Sequence, residues 1–459
     1  MLTQNQRRIL FVIFLTIPLI SGLIYWLAFF PGILSYDSIF QWDELSRFQF
    51  SNWHPALHTI IFWFLTRFWH SPAIMSLFQI IVFSVVIAYG LITFLDFGLP
   101  APLLIVLDMI ISIVPLNGMM QITIWKDVIY SISILLLSIF LLKIIHSKGE
   151  WVSLGRNWIY LGFAVACVTL FRHNGFPVAY GTLLMLWIGF RQKQWFYYAF
   201  ISSLIFTVVV IGPLYKALRV NRSASQPVGI VFIHPIAAHV RAGASFTVDE
   251  AAFLNSILPI RQGWPYSCYD ATVLLYEGLN FNPVGENPLY AAGILGRLTL
   301  NSPIVSLKHF YCLSSFIWDP IQPAGVPLET VYTYNELTSV NPEWLVYASE
   351  VTQKPKLPVV RELIIKVMDS YTQLDPGKIL WRPAVYLYVY IFAVLLYVYR
   401  RKDKLFLFLL APPLYQSLVI AVTTQLQAVR YQYPVYLISM LFTVPLVYLA
   451  LFAQAPRKS

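Results

Sequence analysis

The stretch ILFVIFLTIPLISGLIYWLAFF, residues 9–30, runs without a charge directly into PGILSYDSIFQWDE, residues 31–44. About 20 consecutive apolar residues are enough for a helix to cross a hydrocarbon core of ~30 Å, so the first stretch predicts a membrane span. The second stretch carries three carboxylates, Asp37, Asp43 and Glu44, just where the span stops. An acidic segment at the exit of a span indicates chemistry at the membrane surface.

The rest of the chain is similarly apolar. Hydrophobic residues make up 58% and charged residues only 11% of the 459 positions, and the mean hydropathy is +0.67. This composition excludes a soluble globular protein, which would expose much of that apolar surface to water. We therefore predict an all-α polytopic membrane protein. Ten candidate spans come near that length with almost no charge: Ile9–Phe30, Ala73–Leu95, Leu99–Gly118, Val128–Ile145, Asn157–Phe171, Asn174–Phe190, Trp195–Tyr215, Pro383–Tyr399, Leu405–Thr424 and Pro434–Ala453.

The lysines and arginines near the span ends predict an orientation. With the N-terminus in the cytoplasm, thirteen cations and only three acids fall on the inner side, whereas the outer side is nearly balanced. Cytoplasmic loops are enriched in positive charge, so this arrangement is favoured. We expect a multi-pass protein of the cell (inner) membrane with both termini cytoplasmic. The net charge of +10 is then a signal of topology, and we predict no nucleic-acid partner.

Two long segments between the predicted spans both fall on the outer side. The first loop covers residues 31–72, and the large loop covers residues 216–382. The predicted organisation is an N-terminal transmembrane module at 1–215, which includes the first loop, then the large loop, then C-terminal transmembrane helices at 383–459. Most of the polar chemistry of the chain therefore lies on one side of the membrane.

The large loop contains two features of its own. The apolar segment 301–318 has Lys308 and His309 at its middle, which favours a helix at the membrane interface over a span. Cys268 and Cys312 both fall in this loop, in a compartment that allows disulfides. The sequence leaves the pairing of these two cysteines open.

The first loop contains WHPALHT, residues 53–59. Pro55 suits the first position of a helix, which would put His54 and His58 one turn apart. With Asp37 these residue types have the capacity to bind a divalent metal. Histidines in an aromatic-rich segment more often hydrogen-bond to loop backbone or to the oxygens of a ligand. We therefore predict that His54 and His58 bind substrate, with no metal or other cofactor.

Trp125-Lys126-Asp127 opens the fourth predicted span from the outer side. A lysine there runs against the preference for positive charge on the inner side, which suggests that Lys126 has a use. The alternative is structural, with Asp127 favoured by the helix dipole in the first turn and Lys126 simply pairing with it. We predict that both residues bind substrate.

Two further basic motifs lie at the same depth. Arg172 and His173 stand at the tip of a tight hairpin between spans five and six, where an arginine suits a two-pronged contact with a phosphate or, alternatively, a headgroup anchor. Arg430 and Tyr431 lie just outside the last span. Together with Lys126 these arginines predict three cations converging on one pocket.

Asp108 lies near the middle of span three. A carboxylate inside the membrane indicates function, although a hydrogen bond to a neighbouring helix would explain it equally well. The sequence leaves these two readings of Asp108 open.

In their order and shared side, these motifs resemble the GT-C superfamily of integral-membrane glycosyltransferases, which take a sugar from a polyprenyl-phosphate donor. The acid after span one, His54 in the first loop, Lys126 at span four, Arg172 at the hairpin tip and Arg430 before the last span carry the resemblance. It looks closest to bacterial enzymes that decorate cell-surface glycans or lipids, such as the Gtr-type O-antigen glucosyltransferases, and is similar to protein mannosyltransferase-like enzymes.

The resemblance implies a GT-C-like fold and an inverting hexosyltransferase with Asp37 as catalytic base. Lys126, Arg172 and Arg430 would hold the phosphate of the polyprenyl-phosphate-linked sugar, His54 and His173 would assist, and the large loop would bind a glycan or lipid acceptor. Nucleotide sugars are absent outside the cytoplasm, and the chain has no phosphate-binding glycine-rich motif, which fits a lipid-linked donor.

One departure from the family concerns the base. Many relatives carry two close acids in the first loop, whereas Asp37 is six residues from the Asp43-Glu44 pair, so either position could supply the base. Two other functions stay open, a polysaccharide polymerase or ligase and a transporter of lipid-linked glycans. The former would use arginine-led chemistry without an acid at the exit of span one, and the latter would carry its charges at mid-membrane. The sugar, the acceptor and the oligomeric state are not specified by these motifs.

Overall fold

The protein is described by a computed structural model that covers residues 3–221, 226–275, 278–323, 326, 342–373 and 375–452. Within these residues the secondary structure is helical, with three isolated β-bridges and no β-strand. The predicted helical class is therefore confirmed. Residues after Phe452, including the predicted end of the last span at Ala453, lie outside the described part.

The described residues form 25 α-helices, numbered here in chain order. The first twelve, α1 to α12, are Gln4–Ala28, Tyr36–Arg47, Ala56–Thr66, Ala73–Asp96, Ala101–Ile113, Pro115–Ile122, Lys126–His146, Glu150–Ser153, Asn157–Phe171, Gly175–Gly189, Lys193–Val209 and Tyr215–Ala217. The remaining thirteen, α13 to α25, are Gln226–Arg241, Val248–Ile257, Thr272–Leu275, Asn282–Glu286, Pro288–Asn301, Pro303–Leu313, Ser315–Trp318, Ala348–Val351, Pro358–Gln373, Asp375–Leu380, Pro383–Arg401, Ala411–Thr423 and Tyr433–Phe452.

Seven continuous helical segments of the described chain are long and apolar enough to cross a membrane. Four of them are the single helices α1, α4, α7 and α23. The other three combine an α-helix with a tighter or wider turn: Lys193–Ala217, Lys404–Thr423 and Val429–Phe452. These seven coincide with seven of the ten predicted spans, and they confirm a polytopic helical membrane protein.

Of the remaining three predicted spans, one is bent and two are short. The predicted span Leu99–Gly118 is a helix pair, α5 and α6, bent by 60° at Val114, where Pro115 interrupts the hydrogen-bond ladder. Counted as one span, this pair brings the total to eight. The helices α9 and α10 have 15 residues each, about 22 Å at 1.5 Å per residue, which is shorter than the hydrocarbon core. The count of ten is therefore not confirmed.

The buried helix α7 organises the transmembrane part. It is the most enclosed of the spans, and α4, α9 and the last span pack around it. Lys126 and Asp127 at its first turn therefore lie where several helix ends meet.

The large loop contains a separate hydrophobic core formed mainly by α13, α14 and α17, with Trp264 buried at its centre. The predicted interfacial segment 301–318 forms two short helices, α18 and α19, and its position at an interface stays a prediction. The structure pairs Cys268 with Cys312, whose Cα atoms are 5.8 Å apart, which settles the pairing that the sequence left open.

The large loop also contacts the connection between the last two spans. The backbone amide of Ala271 donates to Gln425 O at 2.7 Å, and the side chain of Gln427 donates to Cys312 O at 3.0 Å and to Ser315 Oγ at 2.7 Å. The residues immediately before Arg430 are therefore shaped by the large loop.

Candidate functional site

The chain that follows α1 is paired with the chain that precedes α7. The amide of Ile33 donates to Ile122 O at 2.9 Å, and the amide of Ile124 donates to Ile33 O at 3.0 Å. Gly32 permits this approach, because its φ is +124° and a Cβ there would lie 2.9 Å from Ile122 O. The pairing places the start of α2 beside the start of α7.

Side chains then fix the first turn of α2. The indole of Trp125 donates to Ser35 Oγ at 2.6 Å, and Ser38 Oγ donates to Ile124 O at 2.6 Å. Asp37 lies in this first turn, where the helix dipole favours a carboxylate. The result is a fixed position for Asp37 directly opposite the first residue of α7.

Asp37 lies between two cations that come from distant parts of the sequence. Its Oδ2 atom is 3.0 Å from Arg430 Nη1 and 3.5 Å from Lys126 Nζ. Burial by itself would raise the pKa of Asp37, but the charges of Lys126 and Arg430 outweigh burial and hold that pKa well below its ordinary value. Asp37 is therefore a carboxylate at any physiological pH.

His54 completes this half of the site. The ammonium of Lys126 donates to His54 Nδ1 at 2.9 Å, which assigns the ring proton of a neutral His54 to Nε2. That Nε2 atom is 3.9 Å from Asp37 Oδ1. Burial, reinforced by the charge of Lys126, lowers the pKa of His54 to about 3, so the ring is neutral.

Asp127 and Arg172 form the second half. Arg172 Nη1 donates to Asp127 Oδ1, and the side chains are 13% and 1% exposed. The ring of Tyr431 connects the two halves, since its centroid lies 4.5 Å from the Arg172 guanidinium and 5.1 Å from that of Arg430. The three predicted cations therefore share one site.

Three further residues belong to the site but were not predicted. The guanidinium of Arg430 stacks over the Trp125 ring at 4.7 Å. Gln416 donates to Tyr431 O at 2.7 Å and accepts from Tyr130 OH at 2.6 Å, which fixes the backbone at Tyr431. Trp125 stands in the same motif as Lys126, so the sequence could have indicated it. Gln416 is a polar residue inside an apolar span, and polar residues inside a membrane often mark functional sites.

The charged residues of the site all lie at the ends of helical segments rather than at their middles. Asp37 follows α1, Lys126 begins α7, Arg172 follows α9, and Arg430 lies at the start of the last span. We call the membrane side at which α1 ends and α7 begins the site face.

Two of the predicted histidines are not in the ion-pair cluster. His173 Nε2 lies 3.1 Å from Asn52 O and ties the hairpin tip to the first loop; burial lowers its pKa. His58 is fully buried near Gln79, and the helix begins at Ala56, so His54 precedes the helix instead of sharing its face with His58. Within the described chain, no three His, Cys, Asp or Glu side chains are arranged to hold a metal ion.

The two other acids of α2 have different neighbours. Asp43 accepts from Arg47 Nε at 2.7 Å and from Tyr347 OH at 2.8 Å. Glu44 is buried and accepts from the Ser51 amide at 2.8 Å, and burial raises its pKa to about 7. Of the three acids in the first loop, Asp37 is the one in contact with Lys126 and Arg430.

The arrangement offers two carboxylates, three cations and a neutral imidazole in a largely enclosed space at the site face. Such a set is able to bind a phosphate and to accept a proton from a hydroxyl group. The chain matches no family model, no curated protein and no solved structure.

Proposed function

We propose that this chain is an integral-membrane glycosyltransferase that moves a sugar from a polyprenyl-phosphate donor to a cell-surface glycan or lipid on the extracytoplasmic side. The observation that carries the proposal is Asp37 held between Arg430 and Lys126, at 3.0 and 3.5 Å, at the site face. Transfer needs a base for the acceptor hydroxyl and positive charge for the departing phosphate, and this cluster contains both.

The charge of the cluster suits a single phosphodiester. Lys126, Arg172 and Arg430 carry three positive charges, Asp37 and Asp127 carry two negative charges, and neutral His54 adds none. Among these five charged groups the cations exceed the carboxylates by one, a balance that favours an anionic ligand. A sugar joined to a polyprenol through one phosphate carries one negative charge and matches that difference, whereas a diphosphate carries more negative charge.

The chemical step follows from these positions. The acceptor oxygen attacks the anomeric carbon from the side opposite the phosphate and forms the new glycosidic bond. The bond between that carbon and the phosphate oxygen breaks, and its electron pair stays on the phosphate, where Lys126, Arg172 and Arg430 stabilise the added charge. The acceptor proton passes to Asp37. One displacement inverts the anomeric configuration.

The same contacts suggest an order of binding. While Arg430 and Lys126 neutralise Asp37, its lowered pKa makes it a weak base. A donor phosphate competes for the same N–H groups, because phosphate oxygens are strong acceptors for both cations. Loss of those contacts would raise the pKa of Asp37 and make it a better base. We therefore infer that the donor binds before the acceptor is deprotonated.

The rival functions have different requirements. A polymerase or ligase with arginine-led chemistry does not need an acid at the exit of the first span, and the central place of Asp37 favours transfer instead. A transporter would carry charged residues at mid-membrane. Asp108, which is fully buried in α5, is a residue of that kind and favours this candidate. The ion pairs at Asp37 and Asp127 lie at span ends, which supports transfer.

The experiment that tests the proposal compares surface glycans from cells with and without the gene by mass spectrometry. Loss of one sugar residue from a surface glycan or lipid is expected without the gene, together with restored transfer when the purified chain is supplied with polyprenyl-phosphate sugar. Accumulation of a complete but untranslocated lipid-linked glycan would instead identify a transporter, and loss of chain length would identify a polymerase.

A further inference from the structure

The segment before α21 is attached to the end of the first span. The amide of Lys354 donates to Phe30 O at 2.6 Å, and the amide of Lys356 donates to Leu27 O at 2.8 Å. Leu27 lies in the last turn of α1, and Phe30 lies just beyond it. Because α1 ends at the site face, α21 begins at the level of that face.

The far end of α21 leads to the same face. The short helix α22 follows it and connects to Arg382, the residue before the α23 span. Arg382 Nη1 donates to Gln427 Oε1 at 3.2 Å, in the connection that precedes Arg430. With 16 residues, α21 is about 24 Å long, and the segments at both of its ends connect to the site face.

The side chains of α21 divide into distinct faces. Ile364 and Met368, one turn apart, are buried in the protein core. Val359, Leu363 and Val367, also spaced four residues apart, are 78%, 61% and 38% exposed. We call these three residues the apolar stripe. Residues four apart share a helix face, so the stripe is continuous and points away from the core.

A polar face borders the stripe on the other side. Glu362 and Lys366, again four apart, are exposed and have the spacing of a helical ion pair. The helix therefore presents one face to protein, one apolar face beside it to its surroundings, and one charged face beyond the apolar stripe. A helix that lies in a membrane interface has an apolar face toward the lipid and a charged or polar face toward water.

We propose that α21 lies in the plane of the membrane interface, with Val359, Leu363 and Val367 in contact with lipid. The stripe is continuous with the membrane because the helix is held between the ends of two lipid-exposed spans, α1 and α23. Three side chains are too few for a stable protein partner, which buries about 800 Å² on each side of an interface. This placement of α21 does not depend on whether the protein transfers a sugar, and it is tested separately.

Nitroxide labels at single cysteines test this placement in the full-length protein reconstituted into vesicles of phosphatidylethanolamine and phosphatidylglycerol. Cys167→Ala removes the free thiol, and the disulfide pair does not react with the label. Leu363→Cys places a label on the apolar stripe, and Glu362→Cys places the matched control one residue away on the polar face. Val359→Cys supplies a second label on the stripe if one variant is poorly folded.

Relaxation of the label by membrane-soluble oxygen and by a water-soluble nickel chelate gives its depth. We expect labels at 363 and 359 to be relaxed mainly by oxygen and to lie about 5–10 Å below the headgroup level, with the label at 362 relaxed mainly by nickel. Equal access of nickel to 362 and 363 would show that the stripe is in water. Shielding of 363 from both reagents would show that protein covers the stripe. Either result overturns the proposal.

Discussion

Asp37→Asn changes one charge and little else. The side chain of Asp37 is 24% exposed and lies at a helix start in a polar loop. Asparagine has nearly the same shape, so the substitution leaves no cavity in the core. The lost interaction is a hydrogen bond between charged groups, with a contribution of about 1.5–3 kcal/mol to stability. We expect the variant to insert and fold, because most of the transmembrane core is untouched.

The effects on transfer and on donor binding should have opposite signs. An amide does not accept the proton of the acceptor, and loss of general-base help typically lowers the rate by about 10²–10⁴. Donor binding should improve, because the variant removes a negative charge that competes with the phosphate for Arg430 and Lys126. Two unit charges about 4 Å apart repel by about 1 kcal/mol even in water, which corresponds to roughly fivefold tighter binding.

The assay measures both quantities on the same purified protein in nanodiscs. Donor affinity comes from titration with polyprenyl-phosphate sugar, and transfer comes from the single-turnover rate to a glycan acceptor. Asp43→Asn is the matched control, since it makes the same change six residues away on a carboxylate paired with Arg47 and Tyr347. Glu44→Gln is the second control, because it changes the other alternative base.

Two outcomes would refute the reasoning at different levels. If Asp37→Asn transfers sugar normally while Asp43→Asn or Glu44→Gln is inactive, the base has been assigned to the wrong acid. If all three variants are fully active, the glycosyltransferase proposal itself fails. Weaker donor binding in Asp37→Asn would contradict the proposed competition and the inferred order of binding.

Four other predictions follow from the structure. Reporter fusions should place Lys148 in the cytoplasm and the segment 220–376 outside; a cytoplasmic signal from that segment would reverse the proposed orientation. Arg172→Lys should weaken donor binding about tenfold, because a point charge does not replace a two-pronged contact, and unchanged affinity in a donor titration would leave Arg172 as a headgroup anchor. Burial raises the pKa of Glu44 from 4.5 to about 7, so the folded protein holds this proton more tightly than the unfolded chain and loses stability as pH rises between these values. Glu44→Gln should remove that loss and be more stable than the parent protein by about 1–3 kcal/mol above pH 7, as measured by thermal unfolding across pH. Asp108→Val should raise the melting temperature, because both oxygens of this buried carboxyl lack a hydrogen-bond partner in the described chain, which costs about 1–3 kcal/mol; a lower melting temperature would reveal a partner.

The membrane class and seven of the spans follow from hydropathy alone, because an uncharged apolar run of about 20 residues matches the thickness of the hydrocarbon core. The exceptions have local causes. Pro115 bends a run of the right length into two helices, a constraint that hydropathy does not register. On either side of Arg172 the apolar runs 157–171 and 174–190 are only 15 and 17 residues long in the sequence itself, and the helices there have 15 residues each.

The partners within the site were harder to predict than its members. The structural alternative for this motif paired Lys126 with its neighbour Asp127, but Lys126 contacts Asp37 and Asp127 pairs with Arg172. Adjacent residues at a helix start point in different directions, so their partners are chosen by the elements packed around the helix. The separation of His54 from His58 has a similar origin, since the helix starts two residues after His54.

The hydrogen bonds from the large loop to Gln425 and Gln427 have a consequence for protein engineering. The connection that precedes Arg430 is held by hydrogen bonds to Ala271, Cys312 and Ser315. A chimaera that receives a foreign large loop, but keeps its own connection between the last two spans, would combine two segments whose hydrogen-bonding groups do not fit each other. A folded chimaera should therefore require residues 424–428 to be transplanted together with the loop.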